Sequence, residues 1–85
     1  MPVVFRHQGI RFYFFSNEGT PREPMHVHAR RSGAEAKLWL APDVRIADSF
    51  GYSRREQGEL VAIVELRRDE IIEAWHEHFG GIAPL

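Results

Sequence analysis

The chain has 85 residues, 44% of them hydrophobic and 12% aromatic, with 11 Lys and Arg against 12 Asp and Glu and no cysteine. This composition predicts a globular fold in one domain over 1–85, a size that buries roughly 60% of the unfolded surface. It excludes disulfides and thiolate metal sites, and the net charge of −1 argues against a strongly basic nucleic-acid binder. No apolar run approaches the ~20 residues that span a bilayer. The opening Met1-Pro2-Val3-Val4-Phe5-Arg6 lacks the layout of a signal peptide, so a cytoplasmic protein without membrane contact is expected. Charge is uneven along the chain: residues 1–42 carry six Lys/Arg and three Asp/Glu, and residues 43–85 carry five and nine. Any contact with phosphate or RNA therefore belongs to the first half.

Taken in chain order, Val3–His7, the turn signal Gln8-Gly9 and the aromatic run Ile10–Phe15 predict a β-hairpin. Ser16–Pro24, with Asn, Gly and two prolines, reads as a loop, long for a hairpin connection and of a length more often used for function. Met25–Arg31 and the strictly alternating Ala34–Ala41 read as a second hairpin around Ser32-Gly33. Val44–Phe50 reads either as a short fifth strand or as an irregular return. Ser53 is a good N-cap, and Glu56 three residues later completes a capping box. The helix it opens is expected to run over 53–79, where Gly80-Gly81 stops it and leaves 80–85 as a tail. Leu60, Val64, Ile71 and Trp75 fall on one stripe, flanked by Val61, Ile63, Ile72 and Phe79. Arg67 and Arg68 also project near it, so one helix or two stays open. The fold class expected is α+β: two antiparallel hairpins in one sheet of four to five strands, β-rich over 1–50, with a long C-terminal helix packed on one face.

Side chains alternate along a strand, which sorts them into two faces. Met25, Val27 and Ala29, with Ala36, Leu38 and Leu40, make an apolar face for the helix stripe. His26, His28 and Arg30 fall on the other face with Glu35, Lys37 and Trp39, beside Tyr13, Phe15 and Arg11 of the aromatic strand. A merely solvated face has no need of these rings, so a site or an interface is expected there.

The pair His26 and His28 admits three readings. Two strand histidines at i and i+2 sit roughly 6.5–7 Å apart, which suits two ligands of one divalent transition metal such as zinc or nickel. Glu18, Glu23, Glu35 or a second subunit would complete the set, Glu23 being the first choice. Alternatively the pair supplies the base and the acid of metal-free RNA cleavage, with Arg22, Arg30 or Lys37 on the phosphate and Tyr13 or Trp39 stacking a base. The third reading is an interface without chemistry, as in a homodimer. His76 and His78 form no comparable pair, because helical residues two apart point about 200° from each other. His78 is expected at the edge of the core and His76 in a more exposed position.

Several runs resemble the "domain of unknown function 4160" family of small prokaryotic proteins: Met1–Arg6, Gly9–Phe14, Ser16-Asn17-Glu18, Arg22–His28, Glu35–Leu40 and Glu73–Gly80. The family's typical core is Pro-Pro-His-x-His, and here Met25 stands for the second proline while both histidines remain. The resemblance implies no defined activity. Such proteins are similar in size to bacterial toxins and are often encoded beside a second small protein of unknown function (family 2442). The expectation that follows is a component of a toxin–antitoxin-like module with a cognate small protein partner. It would be an RNA-cleaving toxin if the pair is catalytic. A metal-binding protein or metal-dependent hydrolase, or a non-catalytic homodimeric module, are the alternatives.

Overall fold

The computed structural model describes residues 3–15 and 24–79. Five strands form one antiparallel sheet in the order β1-β2-β3-β4-β5: β1 Val3–His7, β2 Ile10–Tyr13, β3 His26–Arg31, β4 Ala34–Trp39 and β5 Arg45–Phe50. Both expected hairpins form, and the segment left open becomes a fifth strand that carries one bulge. The first turn has φ of 51° at Gln8 and 80° at Gly9. Positive φ at both central residues marks the two-residue turn whose twist matches that of the flanking strands. β2 stops two residues earlier than expected, and β4 stops at Trp39. The predicted loop Ser16–Pro24 and the tail 80–85 lie, except for Pro24, outside the described residues.

One face of the sheet is apolar and covered. Phe5, Phe12, Phe14, Met25, Val27, Ala29, Ala36, Leu38 and Leu40 are buried there, as the alternation requires. Two helices cover them, α1 Arg54–Leu66 and α2 Arg68–Phe79, and they bury the expected stripe: Leu60 and Val64 from α1, Ile71 and Trp75 from α2. Each such side chain contributes about 1.5–3 kcal/mol by leaving water. The capping box is complete: the Glu56 backbone N–H donates to Ser53 Oγ at 3.1 Å, and the Ser53 N–H donates to Glu56 Oε1 at 2.7 Å. Ser53, first through its backbone N–H and then through its side chain, holds the Glu56 carboxyl below its ordinary value, with nearby Arg31 acting in the same direction.

The 53–79 segment is not one continuous helix. It breaks at Arg67, which caps α1 with φ −110° and ψ 20°. The two arginines that sat awkwardly near the stripe explain the break. The Arg67 guanidinium lies 3.8 Å from the Phe5 ring centre and donates to Glu70, while Arg68 Nε donates to the Leu40 carbonyl at 2.7 Å. Both stems run along the apolar layer and both charges find partners, as long cationic side chains do. No helix among the described residues is long and apolar enough to cross a membrane.

Tyr52 ties the layers together. Its buried hydroxyl donates to the Ala29 carbonyl at 3.2 Å, and Gln57 Nε2 donates to its carbonyl. Burial pushes the Tyr52 hydroxyl above its ordinary value, and Arg31 opposes the shift.

Candidate functional site

The face of the sheet away from the stripe is built in cross-strand rows. Residues directly opposite one another in an antiparallel pair share a face. The first row is His26–Trp39–Arg45, the second Val3–Tyr13–His28–Lys37–Asp48, and the third Arg6–Arg11–Arg30–Glu35–Phe50. His26, His28, Tyr13, Glu35, Lys37 and Trp39, expected together from alternation alone, are thus on adjacent rows. Arg22 and Glu23 lie outside the described residues.

The two histidines are held differently. His28 is half-buried and its imidazole is clasped by rings: stacked on Tyr13 at 5.4 Å, edge-on to Phe15 at 4.5 Å, and edge-on to His26 at 5.2 Å. His26 is fully buried, at 0% exposure. Its Nδ1 lies 2.9 Å from the Pro24 carbonyl oxygen. A carbonyl only accepts, so Nδ1 carries the hydrogen and donates it.

His26 also corrects the expectation that the pair sits wholly apart from the helices. Its ring lies 5.3 Å from that of Trp75 in α2, as well as 5.7 Å from that of Trp39. His26 is the first residue of β3, and Trp75 also meets Phe14 at 5.4 Å on the covered side. The end of α2 therefore reaches the end of the strand, where the two faces meet. His78 is the more exposed of the helical histidines and His76 the half-buried one, the reverse of the expectation. His78 still packs its ring near Phe14 and Phe79 from the rim of the core. The helix ends there, and nothing among the described residues lies beyond it to cover His78.

An open cleft of about 290 Å³ lies over this face. His28, Glu35, Lys37 and Asp48 supply its polar groups, and Phe15 and Phe50 its apolar rims. Lys37 Nζ stands 4.5 Å from the centre of the Trp39 ring, a cation–π contact that holds the ammonium over the face. His26 does not line the cleft. Among the described residues no group of three His, Asp or Glu side chains is placed to hold a metal ion, so the pair would need a further ligand from elsewhere.

A family model for a domain of unknown function (DUF4160) matches residues 9–76. The chain belongs to the DUF4160 family. The matched segment begins in the β1–β2 turn and ends in α2, so the DUF4160 region contains the whole cleft and both histidines, while β1 precedes it. Neither the curated proteins nor the solved structures yield a match.

Within the DUF4160 region, sequence reasoning missed Asp48 and Phe50. Plain alternation puts both on the same face as Ile46. The register slips between Lys37 and Leu38: Leu38 pairs with Ile46 but Lys37 pairs with Asp48, leaving Ala47 as an extra residue. This bulge turns the last residues of β5 over and delivers Asp48 and Phe50 to the cleft.

Proposed function

We propose that this DUF4160 protein is the RNA-cleaving member of a toxin–antitoxin-like pair, with a small protein as its cognate partner and the cleft as its active site. The observation that supports cleavage is the row Tyr13–His28–Lys37–Asp48: an imidazole fixed by rings and facing a cation inside an open cleft. His28 takes the proton from a ribose 2′-hydroxyl. The freed oxygen bonds to phosphorus as the bond to the 5′-oxygen breaks. The leaving oxygen takes a proton from water, the resulting hydroxide recovers the proton held by His28, and a 2′,3′-cyclic phosphate remains. Lys37, and Arg22 if it reaches the cleft, offset the charge that develops on the phosphate. Glu35 borders the site, and Phe15 and Phe50 offer their rings to a base. Tyr13, buried at 2% exposure, and Trp39 do not line the cleft and instead hold His28 and Lys37. His26 supports His28 from behind.

The test is incubation of the purified chain with RNA and detection of cyclic-phosphate ends, beside induced expression in bacteria. His28→Ala is expected to lower cleavage by about 100-fold or more, Lys37→Ala by about 100-fold, and either to relieve growth arrest. Intact RNA and normal growth with the wild-type chain would end this reading.

One observation favours a second reading. Nδ1 donation to a carbonyl is how metal-binding histidines are oriented, and His26 has it. In that case His26 and His28, with Glu23, hold zinc or nickel for a hydrolase. Metal analysis decides: no ion near stoichiometric level and no thermal shift on adding zinc or nickel would remove it.

A further inference from the structure

We infer that the row Arg6–Arg11–Arg30 is a binding track for the phosphodiester backbone of single-stranded RNA, leading into the cleft. The inference rests on the RNA reading above and names how the substrate is held.

The three arginines stand directly opposite one another on β1, β2 and β3. Like charges placed so are mutually destabilising. The chain neutralises its other arginines near the core: Arg31 binds Glu56 at 2.9 Å, Arg67 binds Glu70 at 2.9 Å, and Arg68 binds a carbonyl. Among the described residues no ion pair includes Arg6, Arg11 or Arg30, although Glu35 faces Arg30 across the strand pair. Consecutive residues show the contrast: Arg31, on the helix side, is paired with Glu56, and Arg30, on the cleft side, has no ion pair among the described residues.

Two strand gaps make the row about 10 Å long, the length of about three stacked nucleotides at about 3.4 Å each. Its neighbour is the row that carries His28 and Lys37. The rims of the cleft are Phe15 and the 74%-exposed Phe50. Unpaired bases offer their faces to such rings, whereas a duplex hides them. An acidic protein would satisfy the arginines but would leave the rings without flat partners.

The experiment measures binding of fluorescein-labelled single-stranded RNA to the full chain by anisotropy across a salt series. Each of Arg6→Gln, Arg11→Gln and Arg30→Gln is expected to lower the slope of log affinity against log salt by about 0.7, and the triple variant by about 2. The triple variant should lose about tenfold in affinity at low salt while its circular dichroism is unchanged, and R54Q/R55Q on α1 should bind as wild type does. An unchanged slope in the folded triple variant overturns the track, as does equal binding of duplex RNA. Row-dependent binding of polyglutamate with none of RNA overturns it in favour of an acidic protein. Row-dependent RNA binding without cleavage supports the track and overturns the cleavage reading; cleavage with an unchanged KM in the triple variant does the opposite.

Discussion

At His28 the imidazole meets Tyr13, Phe15 and His26, and its open side is the cleft. At His26 the imidazole is enclosed, between Trp39 and Trp75. Deleting a fully buried side chain leaves a cavity, so His26→Ala is expected to cost about 2–4 kcal/mol. His28→Ala should cost about 1 kcal/mol, the scale of its ring contacts. Urea unfolding of the two variants checks the order, and the reverse order would refute the division of roles. Glu56 gives a second test at this scale. Its folded carboxyl titrates below the unfolded value of 4.5, so its contribution is complete above that pH and is lost as pH falls through the folded value. Thermal melts from neutral to acid pH should therefore show a shallower loss in Glu56→Gln, from a lower starting point. The shared face of Tyr13, His28, Lys37 and Trp39 was legible in the sequence because alternation needs only a strand. The contact of His26 with Trp75 was not, because it depends on how far α2 reaches.

The helices were legible as elements: Ser53 and Glu56 fix the start, and Leu60, Val64, Ile71 and Trp75 keep the helical period across the break at Arg67. β5 was less so, since one extra residue defeats a period of two. Removing Ala47 would restore regular pairing and keep Asp48 opposite Lys37 on the cleft face, because Ile46 and Asp48 would then be adjacent and alternate as Leu38 and Lys37 do. That deletion is expected to leave the fold and the cleft in place, and Ala47→Thr, at an exposed position, should stay within about 0.5 kcal/mol. Two glycines give a second comparison by urea unfolding. Gly51 has φ of 83°, and a Cβ there would meet Ala34 Cα at 3.0 Å. Gly51→Ala should thus cost about 1–3 kcal/mol. A Cβ on Gly58, inside α1, would meet nothing within 4 Å, and Gly58→Ala should gain about 0.5–1 kcal/mol.

Across the whole molecule the two sheet faces have separate physical roles. One is apolar, covered by both helices and responsible for stability. The other is basic and aromatic, and like charges there oppose folding. The edge strands β1 and β5 each carry a bulge, a device that discourages edge-to-edge pairing between copies. Since added salt screens exposed like charges, the wild-type thermal midpoint is expected to rise with salt. The rise should shrink when Arg6, Arg11 and Arg30 are replaced by Gln, and an identical salt response in both proteins would contradict this account of the face. Trp39 and Trp75 are the chain's two tryptophans, and the His26 ring touches both. The molecule thus carries its own optical reporter. Intrinsic emission senses, without any label, the docking of α2 on one side and the occupation of the cleft face on the other.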